Sequence, residues 1–460
     1  MPDHQMAFAQ SALVNTLPLE ILSSIFSTLV DASLYARSVD NKNYGSTEYP
    51  TLLSSVCTHW RHISIGTPYL WSYIDLMPSN QRMRNAQHVK LWLKRSQSSP
   101  LHVRIGKGAN RNEDIEMAKG SLSYPYTLPR TLENQLATVL TSQAPRIHSF
   151  TLVFFEPGLA TEALIALLSG QGQHSIRELA LRHGGRISLS SSEILPQNEW
   201  NRLFEPLQVL HLERTRIELS DIPCRNLVEL RLISPPDLAL SEFIQLLQYN
   251  PGLRTIVLDG RALDDTHSPL MTQSINLPSL RYLQLSADQV FIELILKLLV
   301  PGPHGLALRL QYRREPTNFT DTMFRFFERT NVTSLHLQGQ KASVFPVLTA
   351  LQHLEILELS KFDFDASTFA GLESTTNLTP KLHTIDLNEC SLDNYSELYS
   401  GLRALLSLPS VQRIRHLDCG PWGVNGNRER RVQVLDEGGF TAAVIHASAS
   451  DFKVRASPFR

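Results

Sequence analysis

The sequence predicts an α/β protein in which a short helical module precedes a curved solenoid of strand–helix repeats. In that solenoid one parallel sheet forms the concave face and helices form the convex face. Two observations predict this class. An apolar phrase of strand length recurs along most of the chain, with amphipathic helical patterns between its copies. Residues 17–76 lack the phrase and instead place apolar residues at helical spacing.

The N-terminal module covers residues 15–76, after a segment 1–14 that we expect to be disordered. A helix is predicted over residues 17–30, because Pro18 suits a first helical turn. Its apolar residues form two adjacent stripes, one along Leu22 and Phe26 and the other along Ile21, Ile25 and Leu29.

A second helix is predicted over residues 51–64, followed by an apolar segment at 67–76, and the polar residues 32–49 between the two helices predict a surface loop. A module of this size is too small to bury all of its apolar side chains. The excess face either contacts a partner or caps the solenoid, and periodicity alone does not separate these two interpretations.

The order of residues in this module resembles the F-box. The matching positions are Leu17-Pro18-x-Glu20-Ile21-Leu22-x-x-Ile25-Phe26-x-x-Leu29, then Val56-Cys57-x-x-Trp60-Arg61, then Pro68-x-Leu70-Trp71. The resemblance implies docking to the Skp adaptor of a cullin–RING ubiquitin ligase, the SCF complex. It also implies the adaptor-binding residues, which are Leu17, Pro18, Ile21, Leu22, Ile25, Phe26, Val56, Cys57 and Trp60. The segment 32–49 departs from the family, since most F-boxes have a much shorter link there.

The residue pattern predicts that segment 77–130 is a linker that caps the solenoid. We expect a helix at 80–96, a strand at 101–106 and an irregular loop at 107–126. From residue 131 to 420 the apolar phrase recurs eleven times in steps of 20 to 32 residues. Its copies are IHSFTL (147–152), IRELAL (176–181), LQVLHL (207–212), LVELRL (227–232), LRTIVL (253–258), LRYLQL (280–285), GLALRL (305–310), VTSLHL (332–337), LEILEL (354–359), LHTIDL (382–387) and IRHLDC (414–419). This period is in the leucine-rich-repeat range. With the front module the chain resembles the F-box/leucine-rich-repeat class, and residues 421–460 form a C-terminal cap or tail.

The repeats depart from the family in one respect. The Asn or Cys expected three residues after the last apolar position occurs once, as Cys390. Other groups must therefore satisfy the backbone in the remaining turns.

In each repeat strand the residue between the last two apolar positions points to the concave face. We expect this face to hold a protein target. The residues proposed to contact it are His211, Arg231, Gln284, Arg309, His336, Glu358, Asp386 and Asp418. Because the last three are acidic, the C-terminal end favours a basic segment of the target. The alternative is an ordinary solvated face, with the contact made by loops or the tail.

Composition narrows the class of function. With 43 Lys and Arg against 44 Asp and Glu, the chain lacks the basic excess of nucleic-acid-binding proteins. Its four cysteines are far apart, which argues against a disulfide framework or zinc module and for a reducing compartment. The N-terminus lacks a secretory pattern, and the most apolar stretch is too short to cross a bilayer. We therefore expect a cytoplasmic or nuclear location, with no membrane partner.

No catalytic signature of the phosphate-binding, zinc-protease or serine-hydrolase kind occurs, and no cofactor or metal is expected. The sequence thus favours a non-catalytic substrate receptor of an SCF ligase. A leucine-rich-repeat scaffold without a ligase role remains the main alternative. An extracellular recognition protein and an enzyme are less well supported.

Overall fold

A computed structural model describes residues 16–39, 49–76, 82–106, 130–153, 157–169, 176–189, 196–217, 224–235, 239–260, 274–313, 319–339, 345–364, 380–388, 390–392, 411, 413–417 and 432–435. The chain divides into two compact units, Met1–Asn226 and Leu227–Arg460. Each unit is described by itself below.

Unit 1 begins with a helical module. Its elements are α1 (Leu19–Val39), α2 (Tyr49–Val56), α3 (Thr58–Gly66) and a 3-10 turn (Pro68–Trp71). The surface loop expected at 32–49 is wrong in its first part, because α1 continues to Val39. Residues 31–39 contain no Gly or Pro and include two alanines, a leucine and an arginine, which are good helix formers. Residues 40–48 lie outside the described part of the chain.

The single helix expected at 51–64 is also wrong, because the chain is extended at Cys57 (φ −156°, ψ 172°). The Cys57 Sγ accepts a hydrogen bond from the backbone N–H of Trp60 at 3.4 Å and so caps α3. Since Cys57 separates two helices, no single apolar stripe runs through residues 51–64.

The rest of unit 1 alternates strands with helices. The strands are β1 (Tyr73–Leu76), β2 (Leu101–Gly106), β3 (Ile147–Val153), β4 (Glu178–Leu189) and β5 (Val209–Ile217), all parallel and adjacent in sequence order. The helices are α4 (Arg82–Arg95), α5 (Arg130–Gln143), α6 (Pro157–Leu168) and α7 (Gln197–Phe204). The strand predicted at 101–106 is confirmed as β2. The sheet therefore begins at Tyr73, inside the segment that the sequence assigned to the N-terminal module.

Unit 2 continues the alternation with a second run of parallel strands. These are β6 (Glu229–Ile233), β7 (Thr255–Asp259), β9 (Tyr282–Ala287), β11 (Leu306–Tyr312), β12 (Val332–Gln338), β13 (Ile356–Ser360), β15 (Thr384–Asn388) and β17 (Arg413–Leu417). A final strand, β18 (Val432–Leu435), pairs antiparallel with β17. The helices are α8 (Leu240–Tyr249), α9 (Gln289–Leu298), α10 (Asp321–Arg329) and α11 (Phe345–Ala350).

Two small parallel ladders also lie in unit 2, β8 (Ile275–Leu277) with β10 (Leu299–Pro301), and β14 (Asp363–Phe364) with β16 (Ser391–Leu392). One strand per repeat, helices between strands and a parallel sheet form a mixed α/β architecture of the leucine-rich-repeat type. Within the described ranges, no helix combines the length and the hydropathy needed to cross a membrane.

The core of unit 2 is built from the apolar positions of the phrase. Leu283 and Leu285 of β9, and Leu335 and Leu337 of β12, are completely buried. They lie in register through β11, so successive repeats cover one another's apolar side chains. Each buried side chain of this kind contributes roughly 1.5–3 kcal/mol to the free energy of unfolding. A single isolated repeat could not bury these side chains, so this stabilisation depends on stacking of the repeats.

The last repeat has a register different from the one expected. Ile414 pairs with Ile385, so Arg415 lies beside Asp386 in the ladder. The expected alignment placed Asp418 in that position, three residues later, and that assignment is wrong. Val411 and Ile414 are both branched apolar residues, so the phrase can start at either one, and backbone pairing with β15 selects the register that starts at Val411. Asp418 itself lies outside the described residues.

Polar side chains satisfy backbone groups between repeats, both at the expected repeat position and away from it. Asn250, which is buried after α8, accepts a hydrogen bond from Leu227 N–H at 2.9 Å and donates one to Leu246 O at 2.8 Å. The Cys390 thiol donates to Leu359 O of the preceding repeat at 3.3 Å. Asn250 thus satisfies backbone groups as a repeat Asn would, but it lies at the end of α8. The position of the apolar phrase did not indicate this residue.

Candidate functional site

The first candidate surface is on α1, whose two apolar stripes have opposite environments. Leu22, Phe26 and Val30 face inward, and the Phe26 ring lies 4.8 Å from the Trp60 ring of α3. Ile21 and Ile25 are exposed, at 48% and 42% of their surface, and Leu29 is equally open. These three outward residues, spaced one turn apart, are called the α1 stripe below.

The residues expected to bind the adaptor therefore fall into three groups. Leu17, Pro18, Ile21, Ile25 and Val56 are exposed, Cys57 and Trp60 are half-buried, and Leu22 and Phe26 are buried in the module core. A partner cannot contact the last two unless the module opens. Leu19, Leu29 and Leu52 are exposed apolar residues outside the expected set. The sequence had placed Leu29 on one stripe with Ile21 and Ile25, although Leu29 was not among the residues expected to bind the adaptor.

The opposite side of the module is joined to the sheet of unit 1. Trp71 is fully buried, and its Nε1 donates a hydrogen bond to Ser64 O at 2.6 Å. Its ring meets Trp92 of α4 edge-on at 5.7 Å, and the Arg95 guanidinium lies 4.2 Å from the ring centre. The module thus caps the sheet on one side while the α1 stripe stays exposed on another.

A polar network connects α1 to the first strands. The Tyr69 hydroxyl donates to Asp31 Oδ1 at 2.7 Å and lies 2.7 Å from the Tyr73 hydroxyl. The Tyr73 ring stacks on His102 of β2 at 4.4 Å. Burial is the main cause that raises the pKa of both tyrosines. Burial also lowers the pKa of His102, helped by His148 and opposed by Glu178 and Asp31.

We predict that acid destabilises unit 1 through His102. The folded pKa lies below the unfolded value near 6.5, so the folded chain binds fewer protons than the unfolded chain at low pH. The free energy of unfolding is therefore unaffected by His102 above that value and decreases as the pH falls below it. Thermal unfolding measured across this pH range should show that His102→Gln loses less stability than the unaltered chain as the pH falls. The same substitution at exposed His59 should leave the loss unchanged; equal losses in both variants would contradict the assignment.

The second candidate surface is the outward face of the sheet in each unit. In unit 1, Thr151, Ala180 and His211 lie in one row across β3, β4 and β5. In unit 2 the row consists of Arg231, Val257, Gln284, Arg309, His336, Glu358 and Asp386. The register thus brings the predicted target-binding residues of each unit together, except Asp418.

Several charged residues of these rows lie beside polar partners. The His336 Nδ1 lies 2.7 Å from Glu358 Oε2, and Arg231 pairs with Glu229 on its own strand. Asp386 has Arg415 as its neighbour in the ladder. His211 is buried, with Arg182 Nη2 at 3.2 Å from its Nδ1. Glu358 and Asp386 are neighbours in the same row, so two acidic residues remain side by side on this face.

Sites for chemistry were also sought. Within the described ranges, no three His, Cys, Asp or Glu side chains are grouped so that they could hold a metal ion. Cys224 and Cys390 are buried and form no disulfide with a described residue, and burial raises the pKa of Cys224 to about 12, which suppresses its thiolate.

Comparisons with known proteins add little. No family model matches the chain, and no curated protein matches it. Among solved structures, an internalin from Listeria monocytogenes is similar over 66% of this chain and 88% of that one, with 13% identity and a TM-score of 0.31. At that distance the likeness carries no argument, and the assignment to the leucine-rich-repeat type stands on the repeats themselves.

Proposed function

We propose that this chain is a non-catalytic substrate receptor of an SCF-type ubiquitin ligase. The N-terminal module docks to the Skp adaptor, and the repeats hold a protein target near the ubiquitin-carrying enzyme. Its contribution to ubiquitin transfer is proximity, since the chain itself makes no bond. The resemblance of residues 15–76 to the F-box is what specifies the adaptor.

The observation that carries the proposal is the exposure of the α1 stripe. A helix that only caps a solenoid needs one apolar face, and the face formed by Leu22, Phe26 and Val30 already serves that purpose. Ile21, Ile25 and Leu29 add a second apolar face one turn apart, which is the pattern of a helix that binds in a partner's groove. Exposed Leu52 and Val56 on α2 extend the apolar surface of the module.

The alternative is a leucine-rich-repeat scaffold whose front helices serve only as a cap. The packing of Trp71 against Trp92 and the pairing of β1 with β2 favour a capping role. Capping and docking use different sides of the module, so one does not exclude the other. Adaptor binding separates the two proposals.

We predict that Ile21→Asp with Ile25→Asp abolishes co-purification with the Skp adaptor and leaves the fold intact. Two carboxylates placed in an apolar interface should weaken binding at least ~100-fold. Because both side chains are exposed in the free chain, the thermal unfolding temperature should change little. Co-expression with the adaptor, followed by affinity capture and calorimetry, measures both effects.

The matched control is Ile165→Asp. Ile165 is also a helical isoleucine, exposed to 41% of its surface, but it lies on α6. This variant should retain the adaptor. If the unaltered chain fails to bind the adaptor, the ligase proposal is discarded and the scaffold proposal remains.

A further inference from the structure

Helix α4 (Arg82–Arg95) lies in a strongly basic part of the chain. Residues 76–112 contain eight Lys or Arg and no Asp or Glu, although the whole chain is nearly neutral. Five of the eight lie within α4 itself. A helical lysine is commonly offset by a carboxylate one turn away, and the sequence of this helix provides none. The positive charge of α4 is therefore available to an anionic group from outside the helix.

One side of α4 is used for packing. Val89 and Trp92 are buried, and the Trp92 ring meets the Trp71 ring edge-on at 5.7 Å. Ser96, which follows the helix, is completely buried. The Arg95 guanidinium lies 4.2 Å from the centre of the Trp71 ring, so this cation has a contact within the module. These contacts fix the rotation of α4 about its axis and hold the opposite side of the helix toward solvent.

That opposite side combines two lysines with an apolar residue. Lys90 and Lys94 are exposed and one turn apart, and Leu91 is exposed to 40% of its surface. Exposed Gln87 lies one turn before Leu91 and Lys94 lies three residues after it. Among the residues that the structure describes, no carboxylate forms an ion pair with either lysine. Gln87, Lys90, Leu91 and Lys94 are called the α4 face below.

The composition of the α4 face favours one kind of anionic partner. A helix that lies on a membrane turns its broad apolar side to the lipid, but in α4 that side, with Val89 and Trp92, is buried. The phosphates of a nucleic acid would engage the two lysines and leave Leu91 without an apolar contact. A protein segment with carboxylates on both sides of an apolar residue matches the lysines and Leu91 together.

We propose that the α4 face binds an acidic segment of a partner protein, in which carboxylates flank an apolar side chain. The carboxylates pair with Lys90 and Lys94, and the apolar side chain packs on Leu91. Because both lysines are exposed, their attraction weakens as the salt concentration rises. The α4 face shares no residue with the α1 stripe or with the outward rows of the sheet, so this inference goes beyond the proposed function.

The test uses the full-length chain and two fluorescein-labelled peptides. One peptide has a leucine flanked on both sides by glutamates, and the other has glycine in place of that leucine. Fluorescence anisotropy at low salt should show tighter binding of the leucine peptide. Lys90→Glu with Lys94→Glu should weaken the binding of both peptides at least about tenfold, because attraction becomes repulsion. Leu91→Ser should weaken the leucine peptide roughly fivefold and leave the glycine peptide unchanged.

The matched control is Lys297→Glu with Arg325→Glu. Both residues are exposed on helices of unit 2, and the pair makes the same change in net charge as the two lysine substitutions on α4. This variant should bind both peptides as the unaltered chain does. Since every substituted side chain on α4 is exposed, the thermal unfolding temperature of those variants should also change little.

Four results overturn the proposal. They are no binding of either peptide, equal affinity of the unaltered chain for both peptides, binding that the α4 lysine substitutions leave unaltered, and equal weakening by the control pair. Tighter binding of phosphatidylserine vesicles or of oligodeoxythymidine, lost in the α4 lysine variant, would assign the face to a lipid surface or to nucleic acid instead. The assay contains no adaptor, so its failure and the failure of adaptor docking are separate observations.

Discussion

Replacing Phe26 with Ala should destabilise the N-terminal module by about 3–5 kcal/mol. The ring is completely buried and packs against Trp60 of α3, so its loss leaves a cavity between α1 and α3. The neighbouring residue provides the control, because Ile25 lies on the same helix but is 42% exposed. Ile25→Ala should change the stability by less than about 1 kcal/mol.

Hydrogen exchange measured residue by residue is the appropriate readout, since a chain of two units need not unfold in one step. Amides of α1, α2 and α3 should lose protection in Phe26→Ala, while those of β11, β12 and β13 keep it. Equal protection of the module in the two variants would show that the α1 stripes have been assigned to the wrong sides.

Gly106→Ala should destabilise the sheet of unit 1 about as much as Phe26→Ala destabilises the N-terminal module. Gly106 ends β2 with φ of +138°, a conformation that L side chains rarely adopt. A Cβ built there would lie 1.8 Å from Val153 O of β3, the residue that Gly106 faces in the ladder. Backbone strain and overpacking together should cost at least about 3 kcal/mol.

Gly158→Ala is the matched control for this prediction. Gly158 is exposed in the first turn of α6, with no atom within 4 Å of the built Cβ. Alanine there should leave stability unchanged or raise it by up to about 1 kcal/mol. Thermal unfolding of both variants checks the pair, and a Gly106→Ala chain as stable as Gly158→Ala would disprove the close approach of β2 to β3.

The repeats were predictable because their signal is local and repeated. A strand in such a sheet needs apolar residues at fixed positions, so each phrase indicates its own strand without help from distant residues. Three phrases in unit 1 align with one another in the expected register, and so do seven phrases in unit 2. The strand predicted at 101–106 followed from alternation in the same way.

The sequence predictions were wrong where the local pattern allowed more than one structure. At the last repeat, apolar residues at 411 and 414 allow two registers, and only pairing with β15 decides between them. At Cys57, apolar residues continue at helical spacing on both sides, yet the backbone is extended there. Helical spacing does not reveal such a break, because the same apolar pattern is compatible with one continuous helix and with two helices separated at Cys57.

The sequence by itself determined the class of architecture, the strand positions and the presence of more apolar surface on α1 than one face requires. Only the tertiary structure decided which stripe of α1 is buried and which side of α4 leaves Leu91 exposed beside Lys94. The physical reason is that burial and charge pairing depend on contacts between residues far apart in sequence. Local periodicity marks a side chain as apolar or outward, but only the packed neighbours determine what it contacts.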